Sequence, residues 1–178
     1  FRLFHENRAY TFANLAALIQ YGSVFAANYV LSLYLQTIKE LSAQTAGMIL
    51  SVSTILMALL SPLIGKKSDK FSPKKISAVG MAVCAGSLAV LCILQEESSI
   101  WFLIAVLAVS GIGSALFAAP NTSVVMSWAD EKNRSSIASV LATMRSMGHT
   151  TAMVIVTAVT GIKMGSKSFA QAEPQVFM

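Results

Sequence analysis

Five long apolar stretches, one after another, constrain this sequence more than any other feature. A helix needs about 20 mainly apolar residues to cross the hydrocarbon core of a bilayer. Buried helices of a soluble protein would explain one such stretch, but not five in series with short loops between them. We therefore expect an all-α fold, a polytopic transmembrane helix bundle that occupies residues 1–178 without a soluble domain. The predicted spans cover approximately residues 10–35, 45–64, 76–94, 100–126 and 135–162.

The composition excludes the other broad classes of protein. Charged residues make up 12% of the chain and apolar residues 55%, whereas a typical soluble protein carries about 25% charged residues. A disordered chain needs the opposite balance, with low hydrophobicity and high charge. The predicted location is the cell membrane, crossed several times, with membrane lipid as a partner.

The positions of the basic residues predict the orientation. Nine of the 13 lysines and arginines precede span one or lie in the loops between spans two and three and between spans four and five, and three lie on the opposite side. Because cytoplasmic loops carry the excess of positive charge, we expect the N-terminus in the cytoplasm. Basic residues beside spans also meet anionic lipid, so the net charge of +5 requires no nucleic acid as a partner.

Span five carries a polar stripe and the most unusual charged residue of the chain. Arg145 and His149 are four residues apart and therefore share one edge of the helix. An arginine at the centre of a span costs about 2.5–3.5 kcal/mol on the insertion scale. The alternatives are that Arg145 extends to the cytoplasmic surface and that His149 only bonds a neighbouring span. We expect a substrate path lined by Thr143, Arg145, Ser146, His149 and Thr150.

Span one carries a second polar stripe. Asn14, Tyr21 and Asn28 recur every seven residues and share one helical face. Amide and aromatic side chains together suit a cavity for amphipathic or aromatic molecules, so we add these three residues to the predicted substrate path. The alternative is hydrogen bonding between helices. Gln20 lies off this face and is expected to pack against a neighbour.

Span four combines small residues with a proline. Gly111, Ala115 and Ala119 are four residues apart, a spacing that allows another helix to approach closely. Pro120 removes a backbone hydrogen bond and predicts a kink. Packing alone or a movement between helices would each explain this pattern.

The sequence contains no pattern that indicates catalysis. All aspartates and glutamates lie in flanks or loops, so a carboxylate proton relay would lie outside this chain. Cys84 and Cys92 lack the spacing of metal ligands, and neither H-E-x-x-H nor a nucleophile motif occurs. We expect a protein that is not an enzyme, with no metal site and no cofactor.

One loop carries a recognisable motif. Residues 65–75 read Gly-Lys-Lys-Ser-Asp-Lys-Phe-Ser-Pro-Lys-Lys. This segment resembles the G-x-x-[S/A]-D-[R/K]-x-G-x-[R/K]-[R/K] signature of the major facilitator superfamily, with Ser72 at the position of the second glycine. Asn-Arg-Ala-Tyr-Thr-Phe at 7–12, Pro-Asn-Thr at 120–122 and Leu-Ala-Thr-Met-Arg at 141–145 are similar to the fourteen-span multidrug exporters of that family.

The resemblance implies that the chain is a fragment holding five spans of a C-terminal six-helix half, and the start at Phe1 rather than Met fits this expectation. The missing N-terminal half would then be a partner. Family members move small-molecule substrates by alternating access between two halves. The exporter branch implies proton-coupled efflux of amphipathic compounds, with protons as a further partner.

The resemblance also implies a role for the loop at 65–75. In the family this loop controls the opening of the cytoplasmic end of the substrate path. The resemblance therefore implies a cytoplasmic gate formed by Gly65, Asp69, Lys70, Lys74 and Lys75. A glycine at 65 would let the end of span two approach a neighbour closely. Two alternatives stay open for the whole chain: the same fold importing a specific metabolite or nutrient, and a membrane protein that transports nothing.

Overall fold

The computed structural model describes residues 7–68, 72–93 and 98–172 of the chain, with the side chains of 67–68 and 162–172 left aside. Within these ranges every regular element is an α-helix, which confirms the predicted all-α bundle. Each helix contains one of the five apolar stretches predicted from the sequence, apart from the last residues of the third. The helices are α1 (Arg8–Thr37), α2 (Ala43–Ser68), α3 (Pro73–Leu91), α4 (Ile100–Met126) and α5 (Arg134–Ala172).

Four of the five helices are long and apolar enough to cross a membrane, namely α1, α2 as far as Lys66, α3 and α4. The described part of α5 does not reach the same hydropathy. Arg145, His149 and a series of serines and threonines occupy its first half and lower the mean. The fifth predicted span is therefore a continuous helix, but its described part is less apolar than the other four helices.

The outer surface of the bundle is apolar. Large side chains that a soluble protein would bury are exposed on every helix, among them Phe12, Leu59, Val79, Trp101 and Ile155. An exposed apolar surface of this extent is typical of contact with lipid. The burial pattern therefore agrees with the composition.

Local sequence determines where several helices begin. The Asn7 side chain accepts hydrogen bonds from the backbone N–H groups of Ala9 and Tyr10, which caps α1. Ser72 precedes α3, whose first residue is Pro73. The backbone at Ser72 has φ −65° and ψ 109°, which any residue adopts. The departure from glycine in the loop motif therefore creates no backbone strain at this position.

The helices pack in two groups. Helix α4 packs extensively against both α2 and α3, and α1 packs extensively against α5. Contacts between these two groups are much fewer. We refer to them below as the α2–α3–α4 group and the α1–α5 pair.

Backbones touch at the centre of both groups. A side-chain carbon on Gly111 would lie 2.5 Å from the carbonyl oxygen of Ser53 in α2, which confirms the close approach predicted for the small residues of α4. Between α1 and α5, a side-chain carbon on Gly22 would lie 2.9 Å from the carbonyl oxygen of Gly148. Only glycine permits such an approach, because any Cβ would collide with backbone.

Two apolar clusters hold the groups together at separate levels of the bundle. The first joins α1, α4 and α5, and its buried residues are Tyr10, Ala13, Ala17, Phe117, Val125, Ile137 and Leu141. The second joins α1, α2 and α4, and its buried residues are Leu31, Leu35, Ala46, Ile49, Leu103 and Leu107. On α1 the segment from 18 to 30 lies between these clusters, and one face of this segment lines a cavity.

Candidate functional site

A cavity of about 120 Å³ lies between the α1–α5 pair and the α2–α3–α4 group. Helix α1 contributes Tyr21, Phe25 and Asn28 to its wall, which are four and then three residues apart and so share one helical face. Ser114 from α4 and His149 from α5 add further polar groups to the lining. The cavity thus combines aromatic surface with a few groups able to form hydrogen bonds, as ligand sites commonly do.

Three rings meet on one side of this cavity. The centre of the His149 ring lies 5.1 Å from that of Phe25 at an interplanar angle of 33°, and 5.8 Å from that of Tyr21 at 64°. Both separations fall within the range of favourable aromatic pairs. His149 follows Gly148, whose backbone contact with α1 brings the imidazole close to these rings. The sequence prediction that Tyr21 and His149 share a site is consistent with this placement.

Arg145 lies behind Tyr21 and does not itself line the cavity. Its Cζ is 4.9 Å from the centre of the Tyr21 ring, within the distance of a cation–π contact. Its Nη2 donates a hydrogen bond of 2.7 Å to the hydroxyl of Thr122 in α4, while its Nε is buried without a hydrogen-bond partner among the described residues. These two contacts hold the side chain between α1 and α4.

Gln20 belongs to the site although the sequence analysis expected it only to pack. Its Nε2 lies 2.9 Å from the sulfur of Cys84 in α3, and its side chain also lines the cavity. The Cys84 sulfur lies 3.5 Å from the hydroxyl of Ser114. These contacts join α1, α3 and α4 beside the cavity. No sequence pattern pairs Gln20 with Cys84, because the pairing depends on which helices are neighbours.

The predicted residues of the substrate path separate into three groups. Tyr21, Asn28 and His149 line the cavity, and Arg145 supports its wall. Asn14 is fully buried elsewhere on α1, where its Nδ2 donates to the carbonyl of Tyr10 in the same helix.

The third group comprises Thr143, Ser146 and Thr150, which lie on an exposed face of α5 away from the cavity. The hydroxyls of Thr143 and Thr150 donate to backbone carbonyls one turn earlier. On a helix these three residues point about 100–160° away from Arg145. The substrate path predicted along α5 thus combines the face of Arg145 and His149, which packs against other helices, with the exposed face of Thr143, Ser146 and Thr150.

The predicted gate is only partly within the described residues, since Asp69 and Lys70 lie outside them. Lys74 and Lys75 are exposed in the first turn of α3. A side-chain carbon on Gly65 would lie 3.8 Å from the Cβ of Ala119, an ordinary van der Waals distance. Within the described part of the chain, no atom makes the close approach expected at Gly65, and an alanine would fit beside Ala119. The role of these five residues in gating stays a prediction.

Comparisons with known proteins agree with the geometry. The family model described as Major Facilitator Superfamily matches residues 13–165. The chain is 30% identical to the riboflavin transporter RibZ of Clostridioides difficile over 80% of its own length, and 29% identical to the multidrug transporter protein MdtP of Bacillus subtilis over 62%.

Those alignments cover 31% of the riboflavin transporter and 20% of the multidrug transporter, so the chain spans less than a third of the length of these relatives. No solved structure matches the chain. The family match extends over most of the five helices and includes every residue that lines the cavity. The chain belongs to the Major Facilitator Superfamily, a family of membrane transporters rather than enzymes.

Proposed function

We propose that the chain is part of a transporter that exports small amphipathic compounds by proton-coupled alternating access. The observation that carries this proposal is the cavity between the two helix groups. The rings of Tyr21, Phe25 and His149 offer apolar faces, and Asn28 and Ser114 offer hydrogen bonds. An amphipathic aromatic molecule requires both kinds of surface. The similarity to a multidrug transporter supports the same class of substrate.

In this proposal, the other half of the substrate path and the proton-carrying groups lie outside this chain. The chain would supply five helices of the C-terminal half, and the N-terminal half of the same protein would complete the substrate path. The five helices contain no aspartate or glutamate, so the carboxylates that carry protons would come from that other half. In the proposed orientation the N-terminus of the chain and the loop at 65–75 face the cytoplasm.

An efflux assay with the complete transporter tests this proposal. An amphipathic fluorescent dye would be added outside inverted vesicles, and its accumulation inside them would be measured with and without a proton gradient. We expect gradient-dependent dye transport that Tyr21→Ala lowers severalfold, because the substitution removes one wall of the cavity. Phe12→Ala is the matched control, since Phe12 is an aromatic residue of α1 that is 67% exposed on the outer surface. Equal transport by Tyr21→Ala and Phe12→Ala would show that the substrate does not bind in this cavity.

A second candidate is the import of a specific metabolite, which the similarity to a riboflavin transporter favours. The combination of aromatic and polar side chains in the lining would suit the ring system of a flavin as well as a dye. Uptake of labelled riboflavin by cells that express the complete transporter distinguishes the two. Riboflavin uptake without dye efflux would replace the first proposal with the second. If neither activity is observed, the protein is a membrane protein that does not transport these compounds.

A further inference from the structure

The charge of Arg145 is not balanced by any carboxylate in the five described helices. Their sequences contain no aspartate or glutamate, and the carboxylates within the described residues, Glu40, Asp130 and Glu131, lie in loops. A guanidinium is charged at every physiological pH. One permanent positive charge therefore lies behind the wall of the cavity, in a partly buried position.

Two contacts fix this charge beside the cavity. Thr122 holds Nη2 from the side of α4, and the Tyr21 ring lies against Cζ from the side of α1. Tyr21 also lines the cavity. A ligand ring stacked on the face of Tyr21 opposite Arg145 would lie about 8 Å from the guanidinium, since stacked rings are separated by about 3.5 Å.

We propose that Arg145 makes this cavity select planar aromatic substrates that are neutral or anionic and discriminate against cations. This inference rests on the proposed function, because it concerns the same cavity. At about 8 Å and an effective dielectric constant of about 20, one fixed charge changes the affinity for a charged ligand by a factor on the order of 30.

The attraction of cations to aromatic rings would oppose this selection, but at Tyr21 the protein's own Arg145 already makes that contact. Aromatic walls usually attract cations through the negative faces of their rings. The Tyr21 ring already makes that contact with Arg145. A second cation on the same ring would be repelled by the guanidinium. The Tyr21 ring therefore favours flat molecules without favouring positively charged ones.

Two dyes that share one ring system test the selection by charge. Aminoacridine is a cation at neutral pH, and acridine carboxylate is an anion. Their dissociation constants would be measured by fluorescence with the purified complete transporter, and competition between the dyes would show a shared site. Because the fixed charge favours the anion and opposes the cation by the same factor, we expect the anion to bind on the order of a thousandfold more tightly than the cation. Arg145→Gln, which keeps a donor for Thr122, should bring this ratio close to one.

The controls separate charge from structure. Arg145→Lys keeps the charge and should keep most of the preference, and Arg134→Gln removes an exposed charge at the start of the same helix and should change nothing. Competing dyes with equal affinities for the unaltered protein would overturn the inference but leave the cavity as the site. Preference for the cation would also overturn it, whether or not Arg145→Gln folds. Failure of both dyes to bind would overturn the cavity assignment itself.

Discussion

Gly22 and Gly148 bring the backbones of α1 and α5 into direct contact, because a side-chain carbon on Gly22 would lie 2.9 Å from the carbonyl oxygen of Gly148. On the other side of the same contact, a side-chain carbon on Gly148 would collide with the carbonyl oxygen of Leu18. This contact places His149 beside Tyr21 and Phe25. The geometry of the cavity therefore depends on two residues that have no side chains.

Gly148→Ala should destabilise the protein. The added methyl group meets backbone that cannot move aside, and overpacking of this kind costs about 1–3 kcal/mol. Gly161 is the matched control on the same helix, because a side-chain carbon there meets no atom of the described residues within 4 Å. Gly161→Ala should leave stability equal or slightly higher, since alanine favours helix. Thermal unfolding in detergent measures both, and equal melting temperatures would contradict the close contact.

Cys84→Ala should destabilise the protein through Gln20. Without the sulfur at 2.9 Å, the Gln20 amide group is left buried with one hydrogen bond fewer, at a cost of about 1–3 kcal/mol. In a Gln20→Met background the same substitution should cost clearly less, because no amide group remains to be satisfied. A double-mutant cycle of unfolding free energies measures this coupling. Additive effects would show that the two side chains do not interact.

The two cysteines also test the orientation of the chain. Cys84 is fully buried, whereas Cys92 is exposed at the end of α3. In the complete transporter with all other cysteines replaced, a membrane-impermeant maleimide added to intact cells should label Cys92 and leave Cys84 unlabelled. The expectation follows from a cytoplasmic N-terminus, which places the end of α3 outside. Labelling of Cys92 only in inverted vesicles would reverse the orientation.

Asp69→Asn should lower transport while the amount of protein in the membrane stays unchanged. The predicted reason is that the carboxylate interacts with the N-terminal end of α3 or with a nearby cation in the cytoplasmic gate. Glu131→Gln is the control, since Glu131 is an exposed carboxylate in the loop between α4 and α5, on the same predicted side. Efflux in inverted vesicles measures both variants. Unchanged transport by Asp69→Asn would remove this residue from the gate.

The helices could be predicted from sequence because length and hydropathy are local properties. The five apolar stretches lie within the five helices almost throughout, and Tyr21 and Asn28 were placed on one face by the helical period. The period alone does not say which neighbour each face meets. For this reason Thr143 was grouped with Arg145, although the first lies on an exposed face and the second faces α1 and α4.

Contacts between helices were the part that sequence could not supply. Thr122 appeared only as part of a family motif, yet its hydroxyl accepts a hydrogen bond from Arg145 twenty-three residues later. Gln20 was missed as a cavity residue because its importance comes from Cys84, sixty-four residues away. Such pairs depend on the choice of neighbouring helices, which follows from packing over the whole bundle.

The division of the bundle into the α1–α5 pair and the α2–α3–α4 group has a mechanical consequence. Tyr21 and His149 belong to the first, and Ser114 belongs to the second, so the cavity is bounded by both. Packed helices slide past one another by small shear movements without repacking their own partners. A slide of about 1 Å along this boundary would preserve the glycine contacts inside each group. The width of the cavity would then depend on the relative position of the two groups.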